Sequence, residues 1–243
     1  DSHSFEPTPA DMIAMQEADV IVFNGGEMEH WVDQVVDSFD REDQTVVIMM
    51  DHVDAVEEEI VEGMEHSDEG HGHVHVHVHE DGEEEAAEPP EEDESRYEIE
   101  YDEHIWTSPV NAMRMVDVIA ETLTERDPAH GAMYQAGAAA YLEELERLDK
   151  EFREARDSAV HDMIVMGDKF PLRYFADAYG LRYRAAFSGC SSDTEPSART
   201  IAYLIDKVKE EQIPAVYYLE LSSHRVAEII GEETGAEPLL LHS

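Results

Sequence analysis

Hydrophobic positions along this chain follow two spacings in turn. Thr8, Pro9 and Asp11 precede Met12, Ile13 and Met15, the chemistry of a helix start, and predict a helix over Pro9–Glu17. Ala18-Asp19-Val20-Ile21-Val22-Phe23 then reads as a short buried strand, closed by a turn at Asn24-Gly25-Gly26. Trp31, Val32, Val35, Val36 and Phe39 make a helical stripe, and Thr45–Met50 is a second buried strand. Further on, Val110, Met113, Val116, Ile119, Ala120 and Leu123 predict a helix over Pro109–Thr124. A longer one follows over Ala129–Asp157, with Tyr134, Ala138, Tyr141, Leu142, Leu145, Leu148 and Phe152 on its buried face. At 1.5 Å per residue it measures about 40 Å, enough for a rigid connector. Strands at Met163–Gly167, Tyr183–Phe187, Ala215–Glu220 and Leu239–Leu241 then alternate with helices over Pro171–Gly180, Glu195–Glu211 and His224–Thr234.

Strands alternating with helices imply α/β architecture with mainly parallel sheets. We expect two lobes joined by a long rigid helix. Residues 1–53 and 104–128 form the N-terminal lobe, 129–157 the connecting helix and 158–243 the C-terminal lobe. Asp1–Pro7 reads as an interior loop and Pro238–Ser243 as a strand that stops abruptly. The expectation is that the first lobe lacks its first strand and the second is truncated, with any targeting segment or lipid anchor lost with the N-terminus.

Residues 54–103 break the pattern. They carry 22 acidic residues and one basic one, Arg96, and contain His66, His71, His73, His75, His77 and His79. Such a composition buries too little apolar surface to offset chain entropy, so most of this stretch is expected to be a disordered loop, with order returning at Asp102-Glu103-His104. The tract reads as a flexible collector of metal ions, since imidazole suits zinc, copper and nickel and the acidic surroundings concentrate cations. A low-complexity linker with incidental histidines is the other reading. An internal, interrupted tract argues against an expression tag.

Charge narrows the partners. Of 243 residues, 59 are acidic and 16 basic, for a net −43. Nucleic acid and anionic membrane surfaces need clustered Lys and Arg, so both are disfavoured, and cations are favoured. No apolar run approaches the roughly 20 residues of a membrane span. The single cysteine, Cys190, excludes an internal disulfide framework and a Cys-rich zinc site. Nothing local supplies a base to activate Cys190, and nucleotide and nucleophile-elbow motifs are missing, so no enzyme is expected.

The isolated histidines carry more weight. His3 and His104 each precede a helix, His242 ends the last strand, and Asp168 follows the strand at Ile164–Met166. Open α/β sheets bind ligands outside the carboxyl ends of their strands. Three histidines and a carboxylate there can close a tetrahedral zinc site. Caps and surface positions are the plainer reading of any one of them. His30, His52, His130, His161 and His224 lack such placement and read as structural or surface residues.

His3-Ser4-Phe5-Glu6-Pro7-Thr8-Pro9, followed by Ala18–Gly25, resembles the zinc-binding solute receptors of bacterial ABC importers, in the metal-specific cluster of substrate-binding proteins. Those proteins carry a ligating His ahead of a Glu-Pro-x-Pro stretch. Asp102-Glu103-His104-Ile105-Trp106 resembles their second ligand motif, Tyr134–Leu148 the connecting helix, and Tyr174–Leu181 the helix after the third ligand. Glu195–Ser197 and Ala215–Glu220 fit the second lobe. A His-rich loop ahead of the second ligand is a trait of the zinc members.

The resemblance implies His3 and His104 as the ligands of the first lobe. The third ligand, His in most zinc members and Glu in manganese members, falls at Lys169, a poor ligand while protonated, so the neighbouring Asp168 is the candidate. The usual final Asp is replaced by His242, as in a subgroup that ends this strand in His-Ser. Some members of that subgroup continue with Cys, so the resemblance implies a disulfide partner for Cys190 that truncation has removed. Glu220 and Glu6 are the expected acceptors behind the ligating imidazoles. The implied function is an extracytoplasmic, monomeric Zn²⁺ receptor delivering to an ABC permease. The alternatives are a manganese or iron receptor of the same family, or a metal-buffering or adhesion protein of the cell surface.

Overall fold

The computed structural model describes residues 5, 7–39, 43–64, 101–191 and 195–242. The first lobe opens with α1 (Pro9–Glu17), held by a capping box. The Thr8 hydroxyl accepts from the Asp11 N–H while the Asp11 carboxylate accepts from the Thr8 N–H at 2.8 Å. β1 (Val20–Phe23) follows, then α2 (His30–Val36) and β2 (Thr45–Ile48). β1 and β2 pair in parallel, Val20 with Thr45 through Phe23 with Ile48. Ile21, Phe23 and Val32 are buried together between this sheet and α2.

Two antiparallel helices complete the lobe and leave it. α3 (Pro109–Arg126) starts on a proline, whose missing N–H would be unpaired there in any case. α4 (Gly131–Ser158) runs 28 residues. It packs on α3 near its start, where Gln135 Nε2 donates to Thr124 Oγ1. Near its end it packs on the second lobe: Phe152 meets Phe175 edge-on at 4.9 Å, and the Tyr179 hydroxyl donates to Asp149.

The second lobe is a four-stranded parallel sheet in the order β4-β3-β5-β6. Its strands are β3 (Met163–Phe170), β4 (Arg182–Ser188), β5 (Ala215–Leu219) and β6 (Glu237–Leu241). α5 (Arg173–Tyr179), α6 (Ala198–Glu211) and α7 (Arg225–Thr234) connect them. Both faces are covered, as a parallel sheet requires. Val165, Leu204, Val216 and Ile230 belong to one core cluster, and Met166, Phe170, Ala176 and Tyr183 to another. β3 runs three residues past the strand expected from sequence, because a register shift against β4 between Met166 and Lys169 carries the chain on through Asp168.

The flanks of the acidic stretch differ from expectation. Residues 54–64 and 101 lie within the part read as disordered, yet they join the body. Met64 is buried on the second sheet, Glu57 and Tyr101 form an antiparallel bridge, and Tyr183 donates to Glu59. Val56, Val61 and Met64 supply apolar anchors that the acidic average conceals. The central acidic residues and the six tract histidines lie outside the described residues.

An apolar groove of about 690 Å³ lies between α3, α4, α5 and the second sheet. Tyr141, Leu145, Leu148 and Phe152 of α4 line it in helical sequence. No helix among the described residues is long and apolar enough to cross a membrane.

Candidate metal centre

Among the described residues, the most constrained of the expected ligands is His104. It is buried, as is Asp102 two residues earlier. Asp102 Oδ1 accepts from the His104 backbone N–H at 2.9 Å and stands 3.0 Å from its Nδ1. The first contact makes this oxygen an acceptor, so Nδ1 carries the ring proton and the ring's lone pair lies on Nε2. A carboxylate behind a ligating imidazole raises its basicity and fixes its orientation.

The backbone around His104 is held from several sides. Asp102 N–H donates to Val56 O at 3.0 Å, and Asn24 Nδ2 donates to Glu103 O at 2.9 Å. The Glu103 carboxylate accepts from Met28 N–H, and its pKa is raised, chiefly by burial. Gly26, at φ 89°, is required here, since a Cβ would sit 2.3 Å from Glu103 Cδ. On the far side His104 meets the second lobe. A Cβ at Gly189 would lie 3.1 Å from both His104 Cε1 and Nδ1.

The second lobe presents three candidates at the carboxyl ends of adjacent strands. Asp168, buried, accepts from Lys169 N–H at 2.8 Å and from Leu219 N–H at 3.0 Å, tying the end of β3 to β5. Glu220 follows β5 and His242 follows β6, with His242 Nδ1 3.9 Å from Glu220 Oε1. His242 is largely exposed and borders the apolar groove. Among the described residues no three His, Cys, Asp or Glu side chains converge as a metal would need. His3 and Glu6 lie outside the described residues, as do His66, His71, His73, His75, His77 and His79.

Two features were missed in the sequence. Asp102 stands behind His104; its only signal is the two-residue spacing. Tyr174 of α5 touches the same segment, with no local signal at all. Cys190 is half-buried, and burial followed by the Glu58 carboxylate pushes its thiol well above the usual range. It is a neutral thiol, poorly suited to act as a nucleophile.

Two parallel-sheet lobes with a long helix between them define the fold class of two-lobed substrate-binding proteins. The family model described as the periplasmic zinc-uptake complex component A, ZnuA, matches residues 1–243, and the chain belongs to that family. It is 30% identical over 242 residues to the zinc-binding lipoprotein AdcA of Streptococcus pneumoniae, covering 99% of this chain and 43% of that one. It is 31% identical over 242 residues to the high-affinity zinc uptake system protein ZnuA of Bacillus subtilis, covering 99% and 67%. This chain thus spans less than half of the first relative's length and two thirds of the second's. Among solved structures, the Zn(II)-bound ZnuA-like domain of S. pneumoniae AdcA aligns with a TM-score of 0.69 at 26% identity, over 99% of this chain and 74% of that one. The metal-dependent lipoprotein YcdH of B. subtilis aligns at 0.71 and 27%, over 99% and 74%.

Proposed function

We propose that this chain captures Zn²⁺ outside the cytoplasm and delivers it to the permease of an ABC importer. The observation that carries the reading is His104: a buried imidazole, its Nδ1 fixed by Asp102, in a member of the zinc-uptake family. In this reading His3 and His104 bind from the first lobe, and Asp168 and His242 from the second. Three imidazoles and a carboxylate suit tetrahedral zinc. The lobe boundaries inferred from sequence, a monomeric state and an N-terminal lipid anchor belong to the same reading. The tract from His66 to His79 acts as a weak reservoir that raises the local zinc concentration.

The test is zinc titration calorimetry against a competing chelator, on the chain with residues 66–79 removed. One tight site is expected, weakened at least 100-fold by His104→Ala. Tight binding that survives His104→Ala overturns the ligand assignment. Loss of all tight binding with the tract would make the protein a metal buffer.

A further inference from the structure

Residues 56–57 and 101–102 meet as an antiparallel pair that is interrupted in one place. Glu57 bridges Tyr101, and Asp102 N–H donates to Val56 O at 3.0 Å. The reciprocal connection, from Val56 N–H to Asp102 O, passes through a side chain of the other lobe. Val56 N–H donates to the Tyr174 hydroxyl at 3.2 Å, and that hydroxyl donates to Asp102 O at 2.6 Å. Tyr174 sits on α5, is buried, and packs in one cluster with Val47, Met49 and Ile105 of the first lobe. Burial pushes its pKa up to about 12, so the hydroxyl keeps the proton it donates.

We propose that Tyr174 is a positioning residue for the metal ligand, fixing the pose of His104 from the opposite lobe through Asp102. The inference rests on the reading of His104 as a zinc ligand. Its geometry is direct. The phenol holds the backbone pair open by the width of one oxygen and so sets where Asp102 lies. Asp102 Oδ1 in turn fixes the backbone and ring of His104. Without the hydroxyl, Val56 N–H and Asp102 O are either left unpaired in a buried place or close directly on each other. Both changes move Asp102, the first by loss of its tether and the second by drawing it toward Val56.

The experiment compares Tyr174→Phe, Asp102→Asn and His104→Ala in the full chain. Two readouts are taken: zinc affinity by chelator competition, and the ¹⁵N resonances of the His104 ring in metal-free protein. In the parent the ring spectrum should show a single tautomer protonated on Nδ1. Tyr174→Phe should weaken zinc binding about 10-fold, and Asp102→Asn about 10–100-fold. Both should give mixed His104 tautomers. An unchanged ring spectrum with unchanged affinity in Tyr174→Phe overturns the proposal. If Tyr174→Phe does not fold, Asp102→Asn decides, since it leaves the phenol packing intact. Zinc binding that survives His104→Ala while the ring spectra shift would mean that the relay exists but does not serve zinc, and it is then the zinc reading that has failed.

Discussion

Gly189 shows how little room the proposed site leaves. A methyl group there would stand 2.9 Å from Phe170 O and 3.1 Å from the His104 ring. The backbone carbonyl cannot yield cheaply, so the ring is what moves. Gly189→Ala should cost about 1–3 kcal/mol of stability, the usual range for overpacking. It should also weaken zinc binding, although residue 189 is not among the proposed ligands. Denaturant titration and chelator competition check the two effects separately; full affinity in a destabilised variant would place the displacement elsewhere. Residues of this kind were poorly legible in the sequence. His104 could be singled out from its motif as a candidate, and Asp102 stood two positions away in plain view. The roles of Gly189 and Tyr174 depend on contacts across more than 70 residues of chain, which no local pattern encodes.

At the scale of elements the sequence was far more legible, because caps and periodicity are local. Thr8 and Asp11 start α1, Ser197 starts α6 by accepting from Thr200 N–H, and Gly180 and Gly235 end α5 and α7 in left-handed conformations. The readings failed where composition was averaged. Asp168 and Lys169 were expected to follow the strand and belong to the far end of β3; Val56 and Met64 were hidden among glutamates.

One junction between elements has a defined response to acid. Arg182, opening β4, bonds Asp162 ahead of β3 and Glu211 at the end of α6. Its hydrogen bonds hold the Asp162 carboxyl below the ordinary 3.8 and that of Glu211 below 4.5. Lowered folded-state values mean that the unfolded chain takes up these protons first. The stabilisation is therefore complete above the ordinary values and is lost as pH falls through the lowered ones. The stability difference between the parent and Arg182→Gln should be constant above about pH 5 and shrink below about pH 4. Urea titrations at pH 7, 5 and 3.5 measure it. A difference that stays level down to pH 3.5 would remove Arg182 as the cause.

The whole molecule is two lobes braced against each other by more than the chain between them. α4 spans both, Tyr174 enters the core of the first lobe from the second, and His104 rests on Gly189. The fold class and the long helix were legible because each follows from the order and spacing of elements. The bracing was not, since it depends on which faces meet.

The 28 residues of α4 have one more consequence. A helix of about 42 Å, packed at both ends, acts as a ruler. Spin labels at exposed positions of α3 and α6, such as Glu125 and Lys209, should report the same mean separation with and without zinc, and a narrower spread with it. A shifted mean would reveal a swing that this bracing forbids. If the ruler holds, no search between lobe positions separates collision from capture. The association rate is then set by encounter, and the net −43 of the chain speeds that encounter for a cation.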